Sequence, residues 1–216
     1  ANYAQYLEYH QPDFEVEIVE NTSWSCTHGV ERWRNDCGCN TGLKPGWNQA
    51  WRKPLREAMD WLRDQLSGKY EKAAEEYLKD PWSARNNYIN VILDRSPESI
   101  QEFLAAEAKR ELNQEERRRV IKLLEMQRHS MLIFTSCGWF FDEISGIETV
   151  QVIMYAARAM QLAHKVLGLE LEEEFVKKLS EAPSNILEFQ NGAKIYETFV
   201  KPAVVDFAKI SAQNTI

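Results

Sequence analysis

From Leu55 onward the apolar positions recur every three or four residues, the spacing of helices that each bury one face. Leu55, Met59, Leu62 and Leu66 share one stripe, with Pro54 tolerable in a first turn and Gly68 a weak point. The pattern carries this helix on through 69–78 until Asp80-Pro81 breaks it. A second helix is predicted over 81–93, anchored by Trp82, Tyr88, Ile89 and Ile92. Ser96 caps a third over 97–112, with a proline at its first position. Asn113, followed three residues on by a glutamate, opens a fourth whose apolar face is Val120, Leu123, Leu124, Met131 and Phe134. The stretch 146–167 is apolar on most sides, which predicts a central helix ended by Gly168. A short acidic helix over 170–181 and a last one over 192–212 complete the pattern. The last carries Ile195, Phe199, Val205 and Ile210 and is expected to kink at Pro202.

The first fifty residues follow another rule. Phe14, Val16 and Ile18 alternate with Glu15 and Glu17, a short strand signal with no partner strand elsewhere in the chain. The run 23–51 has no period at all, yet holds three of the four cysteines and four of the seven tryptophans. Cysteine and tryptophan are poor formers of disorder, so a run of this length reads as an ordered, functional loop. The expected fold is all-α: a bundle of six to eight helices over 51–216, with an irregular Trp/Cys-rich segment and cap loop over 1–50, together one domain.

Net charge of -7 argues against a nucleic-acid surface, and the one basic cluster, Arg117, Arg118 and Arg119, reads as a solvated helix face. No stretch has the unbroken apolar length of a membrane span, and no signal peptide opens the chain. Ala1 is not a natural start, so the chain is expected to be a processed protein or a piece of a longer one. The four cysteines do not look like a disulfide scaffold, which favours a reducing, cytoplasmic setting.

The chemistry concentrates in Cys26-x-His28 and Cys37-x-Cys39. Three sulfurs and one imidazole are a ligand set that zinc takes up in closed, tetrahedral structural sites. Gly29 and Gly38 let the chain fold sharply around an ion, although the spacing departs from the common Cys-x2-Cys knuckle. Two alternatives stay open: free thiols in a packed loop, or an iron–sulfur cluster held by Cys26, Cys37, Cys39 and Cys137. Around Cys137 the sequence FTSCGWFFDEISGIE places Trp139 beside Asp142 and Glu143. As structure, its aromatics cap the core and its carboxylates lie near the next helix N-terminus. As function, Trp139 offers a flat face for a sugar ring beside carboxylates. His10, His129 and His164 are scattered. Phosphate loops, nucleophile elbows and H-E-x-x-H are missing from the sequence.

Two stretches resemble the helical region that follows the catalytic barrel in glycoside hydrolase family 57. Ser23-Trp24 with Trp33, Trp47 and Trp51 resembles that family's S-W-G loop and downstream tryptophans. Ser136-Cys137-Gly138-Trp139-Phe140-Phe141 resembles its S-S-D-W-P-F segment, departing from it at Gly138. The stretches SCTHG, DCGC, WNQAW and TSCGWFFDEISGIE are closer still to an uncharacterised domain found C-terminal to a family 57-like module. The resemblance implies an upstream barrel, on the same protein, that carries the catalytic pair. It also implies that this chain, not catalytic alone, lines an α-glucan cleft through Trp24, Trp33, Trp47, Ser136, Trp139 and Asp142. A Cys/His metal or redox module, or a helical domain docking through its tryptophans, are the other expectations. If the two loops meet, all four cysteines are expected to converge.

Overall fold

The computed structural model describes residues 2–42 and 44–204, and within them the chain is helical with no β-strand. A first helix, α1 (Tyr3–Tyr9), is capped by the Asn2 side chain, which accepts from the Gln5 N–H at 2.8 Å. Everything from 2 to 20 lies exposed. The strand expected at Phe14, Val16 and Ile18 does not form, and these residues are 89%, 89% and 83% exposed. A lone strand leaves its backbone groups without a ladder, and no second strand exists among the described residues to complete one.

The bundle starts at α2 (Arg52–Ala74), where Leu55, Met59, Leu62, Leu66, Tyr70 and Ala74 form one fully buried stripe. Gly68 does not interrupt it. The helix stops at Ala74, four residues before the predicted end, because Leu78 forms an isolated antiparallel bridge with Ala108. Lys79 N–H donates to the Glu107 carbonyl at 2.9 Å and Lys109 N–H to the Tyr77 carbonyl at 2.8 Å. The same pairing ends α5 (Pro97–Glu107) short of residue 112. Between them, the predicted helix over 81–93 is broken at Tyr88 into α3 (Pro81–Asn87) and α4 (Ile89–Leu93). Asp80 caps α3 by accepting from Trp82 N–H and Ser83 N–H, both at 2.9 Å. Ile89, expected as an anchor, is 53% exposed.

Asn113 and Glu116 close a reciprocal capping box at the start of α6 (Gln114–Leu132). Its buried face is Val120, Leu123, Leu124, Met126, Gln127 and Ser130, while Met131, expected there, is 49% exposed. One turn of helix, α7 (Cys137–Phe140), leads to α8 (Ile147–Leu167), which packs most extensively on α6. As the sequence predicts, α8 is central and ends at Gly168 in the left-handed conformation, φ +67°. α9 (Glu172–Leu179) packs on α2. α10 (Gly192–Ile195) widens at once into a π turn over Tyr196–Val200 ahead of Pro202, the form that the expected kink takes. Val205, Ile210 and the remainder of that predicted helix lie outside the described residues.

The turn that positions the site is α7, laid directly on α8. Thr149 Oγ1 donates to the Gly138 carbonyl at 2.8 Å. A Cβ at Gly138 would come within 2.6 Å and 2.8 Å of the Val152 methyls and 3.2 Å of the Glu148 carbonyl. That crowding is a steric reason for glycine at this position. Gly138→Ala should therefore lower stability by about 1–3 kcal/mol in urea unfolding, as overpacked cores do. Gly68→Ala, at an open helical position, should raise it by about 0.5–1 kcal/mol. Equal stability of the Gly138 variant and wild type would show that α7 does not pack this way.

Candidate metal centre

The loop before α2 turns on two glycines. Gly29 has φ +65° and opens the 3-10 turn Gly29–Trp33, and a Cβ there would meet the Asn21 carbonyl at 2.8 Å. Gly38, at φ +78°, reverses the chain between Cys37 and Cys39. These turns bring Cys26, His28, Cys37 and Cys39 together, with one ligand atom from each lying within 4.8 Å of the others. Cys26 Sγ is 3.7 Å from both Cys37 Sγ and Cys39 Sγ, and His28 Nδ1 is 3.4 Å from Cys26 Sγ and from Cys39 Sγ.

Those separations can be compared with a coordination shell. Tetrahedral arms of about 2.3 Å to sulfur and about 2.0 Å to nitrogen span edges near 3.8 Å between sulfurs and near 3.6 Å between sulfur and nitrogen. A disulfide would need about 2.05 Å. Four of the six donor pairs thus stand at separations close to the edges of a zinc-sized tetrahedron, within a group that spans up to 4.8 Å, and the cysteines are unbonded to one another. Burial pushes the Cys26 thiol up, but the His28 N–H, the His28 ring and the two neighbouring thiols outweigh it and bring it down to about 7. Cys39 is raised, first by its contact with Cys26. The two thiols are thus shifted in opposite directions by their mutual contact.

A second set of contacts fastens this loop to the bundle. Asp142, just past α7 and 3% exposed, accepts from the Thr41 N–H at 2.9 Å, from the Thr41 hydroxyl, and from Gln49 Nε2 at 3.3 Å. Trp51 Nε1 donates to the Asp142 carbonyl at 3.3 Å. Its neighbour Glu143 accepts from the Ser184 hydroxyl at 2.6 Å and the Asn185 N–H at 2.8 Å. Asn185 returns to the loop, donating Nδ2 to the Asn48 carbonyl at 2.8 Å. Arg56 of α2 donates to the Trp33 carbonyl at 3.4 Å.

A family described as a domain of unknown function (DUF3536) matches residues 47–216. The chain belongs to that family. In this DUF3536 chain the matched stretch takes in α2–α10 and, of the Asp142 junction, every partner but Thr41, and it begins after Cys39, so the Cys/His group precedes it. No curated protein and no solved structure matches the chain. No helix among the described residues is long and apolar enough to cross a membrane.

The DUF3536 chain does bring the two resembling stretches together. Trp24 stacks on Phe140, ring centres 5.8 Å apart and planes 14° from parallel. Trp24 itself is 87% exposed, and Ser136 is exposed at the start of α7. Trp33 and Trp47 are half-buried, with Lys44 over the Trp47 ring at 4.8 Å. Trp139 is 1% exposed, so its faces meet protein, and Asp142 is engaged as described. Cys137, expected to converge with the other three cysteines, is exposed and is not among the four residues grouped here. Sequence reasoning passed over Thr41, Gln49 and Asn185, whose roles depend on partners far along the chain. It also passed over Arg32, although that residue lies between two ligands.

Asp142→Ala should strip three donors of their acceptor, and the buried Gln49 amide left unpaired should cost about 1–3 kcal/mol. Hydrogen exchange should then speed up across 41–49 with α8 unchanged, and unchanged exchange in the loop would show that Asp142 does not hold it.

Proposed function

We propose that Cys26, His28, Cys37 and Cys39 form a structural zinc centre that folds the N-terminal loop and holds it against α7. The observation that carries this reading is the loop's lack of a core. Among the described residues from 21 to 50, the buried ones are Cys26, Arg32 and Gln49, a prospective ligand and two polar side chains. A loop whose apolar burial is confined to half-buried side chains such as Trp33 and Trp47 needs another source of folding energy, and a fourfold-ligated ion supplies it. Zinc suits the donor set because it favours thiolate and imidazole in a closed tetrahedron and brings no redox change. In this reading the three cysteines bind as thiolates, His28 binds through Nδ1, and the centre's work is to fix where Trp24 and the aromatic turn of α7 stand.

Freshly purified protein should carry one equivalent of zinc per chain, with one thiol, Cys137, open to labelling. Chelation should speed hydrogen exchange over 23–49 while α2, α6 and α8 keep their protection. Absence of metal with four reactive thiols would overturn the reading, and iron with visible absorbance would replace zinc by a redox centre.

A second reading is favoured by Trp24. An indole held flat by Phe140 with its outer side open has the form on which a pyranose ring stacks. Together with the stretches that resemble glycoside hydrolase family 57, this supports a helical domain that contributes a platform for an α-glucan beside a catalytic barrel. An α-glucan gel should then retard the chain, and Trp24→Ala should abolish the retardation at unchanged melting temperature. A wild-type chain that migrates freely in such a gel would remove this reading.

A further inference from the structure

Two buried arginines flank the Cys/His group, and neither is explained by the loop's hydrogen bonds. Arg52, the first residue of α2, is 0% exposed. Its Nη2 donates to the Phe140 carbonyl at 3.1 Å and to the Phe141 carbonyl at 3.2 Å. Its Nε and Nη1 find no acceptor among the described residues. Arg32 is 4% exposed on the 3-10 turn between His28 and Cys37, its guanidinium 4.4 Å above the Phe140 ring. It donates one Nη1 bond to the Cys39 carbonyl at 3.4 Å and leaves its own Nε unpaired. The carboxylate of Asp142 is already occupied by Thr41 and Gln49.

Buried charge without a counter-ion is strongly unfavourable, and two like charges side by side are worse. Burial holds the Arg52 guanidinium below its ordinary value. Of the charges around it, Cys37 does most to favour the protonated form, Arg32 opposes it, and the Asp142 and Asp36 carboxylates favour it more weakly. Among the described residues no acceptor meets Nε or Nη1 directly, and further negative charge is what the ligand group itself can provide. A divalent ion bound by three thiolates and a neutral imidazole leaves one net negative charge on the centre.

We infer that Arg52, supported by Arg32, is the built-in countercharge of a three-thiolate metal centre, and that it selects ions able to keep all three sulfurs deprotonated. This rests on the zinc reading. Arg52 acts as a positioning residue: it touches no metal, and its field makes the anionic form of the centre tolerable beneath the aromatic turn. Groups around a metal's ligands commonly change affinity about 10- to 100-fold when removed.

The test compares Arg52→Met, which keeps bulk without charge, with Arg52→Lys, which keeps charge without the planar fork. Zinc affinity is measured by competition with a chromophoric chelator, and cobalt(II) by its thiolate charge-transfer band, with helical content followed in parallel. Arg52→Met should weaken zinc about 10- to 100-fold and reduce the cobalt band. Arg52→Lys should recover most of both. A purely structural role, holding the Phe140 and Phe141 carbonyls, would let Arg52→Gln, which keeps an N–H donor without the charge, recover as much as Arg52→Lys. That result, or zinc affinity of Arg52→Met within twofold of wild type, would overturn the inference. Should the Arg52 variants fail to fold, Arg32→Met and Arg32→Lys decide the matter by the same comparison. Wild-type protein that takes up neither zinc nor cobalt defeats the zinc reading itself. Wild-type binding with indifferent variants defeats only the countercharge.

Discussion

Asp142 receives the Thr41 N–H, the Thr41 hydroxyl and the Gln49 amide while almost wholly withdrawn from water, and the placement of the whole N-terminal loop follows from that contact. Hydrogen bonds to an ionised group are about twice as strong as neutral ones, and a low-dielectric setting strengthens them further. Glu143, next in sequence, does the same for Ser184 and Asn185. Two adjacent carboxylates therefore tie three separate stretches together at the end of α7. Since α7 is pressed onto α8 through Gly138, the polar junction inherits the rigidity of the bundle's central helix.

The helices were largely legible because their information is local. The apolar stripe of α2, the Ser96 and Asn113 caps and the Gly168 stop each involve residues within a turn or two of each other. The errors fall where distant residues decide. Neither Leu78 nor Ala108 announces that it will meet the other and shorten two helices. Met131 has the spacing of a core residue but lies on the outer side of α6's last turn, 49% exposed while Ser130 and Ile133 on either side of it are buried.

The site divides along the same line. Its four ligands lie close in sequence, and their residue types point to a metal without any fold. Asp142 meets Thr41 across a separation of 101 residues, so nothing local distinguishes it from a carboxylate at a helix start. Trp139 and Trp24 look alike as letters. One is sealed between α7 and the bundle while the other rides on Phe140 in the open, a difference set by the close packing at Gly138.

The unpaired stretch Phe14–Val19 also shapes how copies of the chain meet one another. It has the composition of an edge that could self-associate, with exposed, β-prone apolar residues. Glu15, Glu17 and Glu20 are interleaved with those residues and act as gatekeepers, because two copies laid side by side would stack carboxylate on carboxylate. The same carboxylates that give the segment no place in the bundle thus serve to keep it from pairing with a copy of itself.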